Sequence, residues 1–414
     1  MKKIKYSLAL VLLIHFTTIV FAQKINISSG KWRGSLIRKD EISIPFIFDI
    51  ETNPSGMVMN IINAEDTIRV NNFSLIGDSV LITLPFFDAE FMVKVSATKM
   101  QGRWTRHLPM GNTSIPFEAS INQTRFDESH KTALNLNNTW DVKFFDTAFK
   151  DSSDAIGKFQ SSPTKITGTF LTSTGDYRFL EGVFDGEKIR LSTFDGSHAY
   201  LVIADFNPQN KVPRISNGVF YSGLNNKEFW NASFNPKAAL PDAEKLTFLK
   251  QGFETVQFEF PDLDNKPISL EDARFKGKVV LLQIMGSWCP NCLDESKLMT
   301  SIYQQYQSSG LEIIGLCFEK SEDINIVKKN IDNFKNQLNI TYPLVIAGNT
   351  QKGSVNKALP MLANFVAFPT LIIIDKKGIV RNIHTGYSGP ATGIYFTEFK
   401  DHFIANLEKY LNEK

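Results

Sequence analysis

Gly286-Ser287-Trp288-Cys289-Pro290-Asn291-Cys292 stands between an apolar run and a helix-forming stretch, and its reading decides the fold of the chain beyond residue 250. The run before it, Val279-Val280-Leu281-Leu282-Gln283-Ile284-Met285, is short and rich in branched residues, which predicts a buried strand. After it, Pro290 suits the first turn of a helix, and residues 293–308 contain no Gly or Pro until Gly310 stops the run. Two thiols three residues apart at a strand-to-helix junction form a redox pair. The competing reading is half of a zinc site. That requires a second ligand pair, and the only other cysteine is Cys317.

Working outward, residues 311–318 read as a strand. Ile324, Val327, Ile331, Phe334 and Leu338 then mark one stripe of an amphipathic helix. Residues 342–346 predict a strand, residues 357–365 a short helix, and residues 370–374 an apolar strand. Asp375-Lys376-Lys377-Gly378 turns the chain into a hairpin, and Phe396, Phe399, Phe403, Leu407 and Leu411 stripe a C-terminal helix. Phe258-Glu259-Phe260-Pro261 and Ile268-Ser269-Leu270 predict a short opening hairpin. Alternating strands and helices of this kind make an α/β domain with a mixed sheet.

Residues 24 to about 240 have a different grammar. Short alternating or apolar runs, such as residues 43–48, 57–61, 80–84 and 91–95, recur between Gly, Asn, Asp and Pro, as in a sandwich or barrel. The region carries signs of internal duplication. Asp66-Thr67-Ile68-Arg69 resembles Asp176-Tyr177-Arg178, and Gly77-Asp78-Ser79-Val80-Leu81 resembles Asp185-Gly186-Glu187-Lys188-Ile189. Phe87-Asp88 parallels Phe194-Asp195, Gly102-Arg103-Trp104 parallels Gly218-Val219-Phe220, and Trp32 and Trp140 open the two halves. Linker composition begins at Asn231 and runs to Glu244. The expected organisation is a signal peptide at 1–22, β-halves at 23–130 and 131–240, a linker at 241–251 and the α/β domain at 252–414.

Charge and cysteine use narrow the setting. Residues 1–22 hold Lys2, Lys3 and Lys5, an apolar run from Leu8 to Ile14, and Val20-Phe21-Ala22 ahead of Gln23, the pattern of a secretory signal cleaved after Ala22. The apolar run is short for a spanning helix, and no cysteine at the cleavage site points to a lipoprotein. Without those lysines the chain has 42 bases against 43 acids, so nucleic acid is not an expected partner. All three cysteines fall between residues 289 and 317, which excludes a disulfide framework in the β-region. An oxidising compartment with one close cysteine pair favours a working disulfide, with no other cofactor. The expected localisation is exported and periplasmic.

Thiol–disulfide exchange needs a thiolate nucleophile and a second thiol to resolve the mixed disulfide. Cys289 at the helix N-terminus meets unpaired N–H groups and the positive end of the macrodipole, so it is the expected nucleophile. Cys292, one turn on, is the resolving thiol. Cys317, within an apolar strand, is expected to be a small core residue, with a sensor thiol as the alternative. The six histidines show no ligand spacing and receive no role.

Trp288-Cys289-Pro290-Asn291-Cys292 together with Phe368-Pro369-Thr370 ahead of an apolar strand resembles the thioredoxin superfamily, and within it the TlpA- and ResA-like thiol–disulfide oxidoreductases, over residues of about 252–414. The resemblance implies that Pro369 is cis and faces the cysteines, and that Trp288, Phe368 and Pro369 form the substrate site. It implies protein disulfides as substrates and a membrane electron donor. Thioredoxins carry a buried Asp where this chain has Gln283; ResA-like proteins are thought to use a Glu where this chain has Glu295. The family commonly has a proline shortly after that Glu, and this chain has Ser296-Lys297. The neutral Asn291 between the cysteines leans toward a reductant on a scale running from about −270 to about −120 mV. Two other readings compete. A peroxiredoxin-like peroxidase would carry Thr and Pro where this chain has Gly286 and Leu282. A binding or dimerisation module in residues 23–240 would make the redox domain accessory.

Overall fold

The structure, a computed structural model, describes residues 25–413 apart from residues 55, 110, 127–133 and 208–212. The expected signal sequence lies outside the described residues. Among the described residues no helix is long and apolar enough to cross a membrane.

The β-region is two nine-stranded sheets, one running from Gly30 to Ile121 and the other from Asn138 to Phe234. In each, the strands follow one another as antiparallel neighbours and the first pairs with both the second and the ninth. Gly30–Ile37 pairs with Ser43–Asn53 and Thr113–Ile121, and Asn138–Phe145 pairs with Ser152–Ser161 and Asn226–Phe234. The quoted sequence marks fall on equivalent elements of the two sheets, apart from Phe87, which lies in the turn after its sixth strand while Phe194 ends its own, so the all-β region is a duplicated barrel-like module. Trp32 and Trp140 hold the same place in their first strands, each fully buried with its indole N–H donated to the carbonyl four residues earlier.

The copies differ at the fourth strand. In the first it is Asp66–Val70, and the ladder opens between it and Asn72–Ile76. In the second it shrinks to Gly175–Asp176, and Ile166–Thr172 pairs directly with Leu180–Phe184, which closes the barrel. The two copies share a continuous core. Phe194 of the second stacks on Phe46 of the first at 4.5 Å, and Asn63 exchanges hydrogen bonds with the Phe194 backbone. The chain stays in strand Asn226–Phe234 through Asn231, where linker composition was expected; its ladder to Asn138–Phe145 outweighs the turn-forming character of those residues.

The C-terminal domain has a five-stranded mixed sheet. Val279–Met285 lies between the parallel strand Leu311–Glu319 and the antiparallel strand Thr370–Ile374; Leu344–Asn349 and Val380–Thr385 form the edges. All seven residues of Val279–Met285 are buried, as a central strand covered on both faces requires. The helices are α1 (Pro290–Tyr306), α2 (Ile324–Gln337), α3 (Ser354–Ala358) and α4 (Ile394–Asn412). Helix α3 starts earlier than the expected 357–365 stretch and overlaps it only at Lys357 and Ala358, because Pro360 disfavours helical geometry at Leu359 and cannot continue a hydrogen-bonded turn. Phe248–Leu249, just after the β-region, pairs with Leu362–Ala363, which ties this segment to the C-terminal domain.

Candidate active site

The apolar strand Val279–Met285 delivers the chain to the sheet edge, and a four-residue turn starts α1. The turn is pinned from below. The Ser287 N–H and Oγ both donate to the buried Glu319 carboxylate, each at 2.8 Å, while the Trp288 indole donates to the Phe318 carbonyl at 2.9 Å. Glu319, the last residue of its strand, thus holds the turn. Gly286 is required by space: a Cβ there would sit 2.7 Å from the Phe318 carbonyl oxygen and overlap the Trp288 ring.

Cys289 is the N-cap of α1, and its sulfur accepts the Cys292 N–H at 3.2 Å. The two sulfurs are joined as a disulfide. Cys292 is fully buried, and Cys289 is only 5% exposed. The Phe368–Pro369 peptide is cis, and the Phe368 carbonyl oxygen lies 3.7 Å from the Cys289 sulfur. Phe368 packs edge-on against Trp288 at 5.6 Å. The structure therefore gathers Trp288, Cys289, Cys292, Phe368 and Pro369 at one point. Among the described residues no cluster of three or more His, Cys, Asp or Glu side chains is arranged to hold a metal ion. Cys317 is a free thiol buried in the core, its pKa pushed up by desolvation and by Glu319.

Glu295 lies on α1 one turn beyond Cys292, fully buried. Gln283 donates to its Oε2 at 2.8 Å, and Oε1 has no partner among the described residues. Burial pushes its pKa up to about 8, against the opposing Gln283 hydrogen bond. The carboxyl is therefore neutral at pH 7, with a proton it can release. Ser296, where the family commonly has a proline nearby, donates to Gln283 Oε1 at 3.0 Å and fixes the amide that faces Glu295. Helix α1 is unbroken through this point.

Sequence reasoning missed the contribution of the β-region. The shortened fourth strand of the second barrel presents Arg178, whose buried guanidinium pairs with Asp66 of the first barrel (3.1 Å), Asp195 of its own (3.4 Å) and Asp294 of α1 (2.7 Å). Burial opposes the charge on Asp294, but Arg178 and Lys297 hold its carboxyl below the ordinary range. Asp176 accepts the N–H groups of Arg178 and of Gly389, which docks the same turn on the loop before α4. A Cβ at Gly175 would overlap the Asn291 amide between the two cysteines. The repeated Asp66/Asp176 and Asp88/Asp195 marks were the available signal, and they read only as signs of duplication. A cavity of about 390 Å³ opens over Cys289, lined by Arg106 of the first barrel, Tyr177 and His198 of the second, and Trp288, Lys320 and Phe368 of the C-terminal domain.

Residues 252–383 match the AhpC/TSA family. Over 144 residues the chain is 28% identical to the thioredoxin-like protein YneN of Bacillus subtilis, covering 35% of this chain and 76% of that protein. It is 30% identical over 140 residues to the thiol-disulfide oxidoreductase ResA of Geobacillus thermodenitrificans, covering 34% of this chain and 72% of the relative. Against ResA of Bacillus anthracis the identity is 33% over 141 residues, 34% of this chain and 70% of the relative. With its thioredoxin-like sheet and its Cys289–Cys292 disulfide at the start of α1, the C-terminal domain belongs to the ResA thiol–disulfide oxidoreductase family.

Proposed function

We propose that this chain is an exported reductase of disulfides in which Cys289 is the nucleophile, Cys292 the resolving thiol and Glu295 the proton carrier. The observation that carries the proposal is the placement of Cys289 as N-cap of α1, beside the cis Phe368–Pro369 peptide and one turn from the Cys292–Glu295 pair. In the reduced protein the Cys289 thiolate, stabilised by the N–H groups of the first turn, attacks one sulfur of a substrate disulfide and expels the other as a thiolate. The ionised fraction of Glu295, a minority at pH 7, takes the Cys292 proton; the Cys292 thiolate attacks the Cys289 sulfur and expels the second substrate sulfur as a thiolate, which is then reprotonated, and the protein is left as the disulfide. Glu295 with a pKa of about 8 is matched to that transfer near neutral pH. The Trp288–Phe368 wall and Pro369 would hold an extended substrate segment against Cys289. An exported location, protein disulfides as substrates and a membrane donor that returns electrons to the pair all belong to this reading.

Peroxidase chemistry is disfavoured on space. A threonine at 286, which that chemistry would use, has no room between Trp288 and the Phe318 carbonyl. The test is to mix reduced protein separately with insulin and with hydrogen peroxide, and to trap substrates with a Cys292→Ser variant. Insulin reduction and stable mixed disulfides on Cys289 support the proposal. Peroxide consumption without insulin reduction overturns it, and an equilibrium potential against glutathione near about −120 mV would make the protein an oxidant.

A further inference from the structure

The cavity over Cys289 has a charge pattern that the exchange reaction itself does not require. Lys320 stands 4.3 Å over the Trp288 ring and makes no ion pair among the described residues. Burial pulls its pKa down to about 8, with Arg106 adding to the shift and Glu319 opposing it. Arg106, at the end of strand Lys99–Arg106, feels the Asp195 carboxylate but makes no ion pair among the described residues, and its buried Nε has no hydrogen-bond partner among them. Two cations thus line one pocket with a redox-active sulfur. The acids nearby are already engaged. Asp195 is held by Arg178 and by His198, whose Nδ1 lies at 3.3 Å, and both oxygens of Asp176 accept backbone N–H groups.

Partly buried cations without a direct ion pair are retained at a cost to stability, and a bound anion relieves it. We infer that this pocket is a subsite for a carboxylate carried beside the disulfide of the substrate, with Arg106 and Lys320 as its binding residues. The inference rests on the thiol-exchange reading and narrows its substrate class. The cavity of about 390 Å³ suits a disulfide flanked by one or two residues. With Cys289 at 5% exposure, a substrate must arrive as a thin segment or a small molecule. The chemistry is then ordinary exchange: the Cys289 thiolate bonds to one substrate sulfur, the other leaves as a thiolate, and Cys292 closes the protein disulfide while releasing the second thiol. Two electrons pass from the protein pair to the substrate.

The test uses the full chain, reduced with dithiothreitol and desalted, and follows oxidation of the pair by three disulfides. These are oxidised glutathione, which is anionic, neutral hydroxyethyl disulfide and cationic cystamine. Rates are expressed as the glutathione-to-hydroxyethyl ratio, divided by the same ratio for free dithiothreitol, so that changes in Cys289 thiolate content cancel. The expected ratio is about tenfold above one at low salt, falling as salt shortens the Debye length, with cystamine slowest. In Arg106→Gln/Lys320→Gln the ratio should collapse toward one, and Lys320→Gln alone serves if the double variant does not fold. Disulfide-linked peptides with Glu, Gln or Lys beside the cysteine separate the two sources: a Glu preference assigns the subsite to extended protein segments, and a glutathione preference alone to a small acidic disulfide. A normalised ratio of one in the wild type, or a ratio unchanged in the variants, overturns the subsite. Failure of every disulfide to oxidise the pair overturns the exchange reading and the subsite with it.

Discussion

The two β-repeats share topology and tryptophan placement, yet they meet the cysteine site differently: the first brings Arg106 to the cavity wall, while the second docks a turn on the redox motif and on α1. The difference is confined to one element. Five residues in the first repeat's fourth strand, Asp66–Val70, make a ladder with Gly56–Asn63; in the second, that strand is cut to Gly175–Asp176. The released chain turns Arg178 at φ 55° and drives it between three carboxylates, while Arg69 in the first repeat's fourth strand stays exposed. Both copies touch the C-terminal domain, the first through Phe86 against Phe334 and the second through the shortened strand and Arg178. A duplicated fold can thus acquire a site by losing strand length rather than by adding a motif.

Arg178 is where the comparison breaks most visibly. Arg178→Ala leaves the Asp66, Asp195 and Asp294 carboxylates facing one another without their common counter-ion, and removing one partner of a buried ion cluster costs about 3–5 kcal/mol. Arg69→Ala, on the exposed face of the first repeat, should change stability by less than about 0.5 kcal/mol. Urea midpoints of the two variants measure the difference. Equal effects would mean that the docking network contributes nothing.

The same docking divides two neighbouring acids on α1. Asp294 faces the second repeat and keeps its charge on Arg178; Glu295 faces the core and loses it. A carboxyl whose folded pKa is raised from 4.5 to about 8 binds more protons folded than unfolded, so it removes stability as pH rises between those values. Glu295→Gln should therefore gain on the wild type by roughly 3 kcal/mol between pH 4.5 and pH 8, at one unit per 1.36 kcal/mol and allowing for relaxation. Its exchange rate should lose the wild-type pH dependence near 8. A constant stability gap across that range would show Glu295 to be ionised in the fold.

How much of this was legible in the sequence follows from the range of each contact. The redox domain announced itself because its signals are local: an apolar strand, a Pro in the first helical turn and cysteines three apart all lie within 14 residues. Phe368-Pro369 was reached through the family resemblance. The duplication was legible because Asp66/Asp176 and Phe87-Asp88/Phe194-Asp195 recur in order. Their part in the site was not legible, since Arg178 meets Asp66 and Asp294 across 112 and 116 residues. His198, given no role, lines the cavity for the same reason. Glu295 could be placed beside Cys292 by helical spacing, but its neutrality depends on burial that no local pattern records.

Gly175 and Gly223, both in the second repeat, separate the docking turn from an ordinary hairpin turn of the same barrel. The Gly175 φ of 140° is strained for any side chain, and a Cβ there would overlap Asn291 of the redox motif. Gly175→Ala should cost about 2 kcal/mol and, by lifting the turn, speed alkylation of reduced Cys289 by a bulky maleimide. Gly223→Ala also carries a positive φ but has open space around its Cβ. That variant should cost about 1 kcal/mol of strain and leave alkylation unchanged. If both variants alkylate at the wild-type rate, the turn does not cover the cysteine.

The smallest expected effects test where the copies are alike. Trp32 and Trp140 each donate an indole N–H to a carbonyl four residues earlier, at 3.1 and 3.3 Å, from the first strand of their barrels. Both rings are fully buried, so each Trp→Phe variant loses one hydrogen bond and some packing, leaves one carbonyl short of a partner and creates no charge. Each should cost about 1–2 kcal/mol, and the two costs should agree within about 0.5 kcal/mol. The sites lie in separate barrels with no shared partner, so the double variant should be additive within a similar margin. A strongly unequal pair would mean that the second barrel, having given up a strand to the docking surface, now draws on the redox domain for the stability that the first barrel finds within itself.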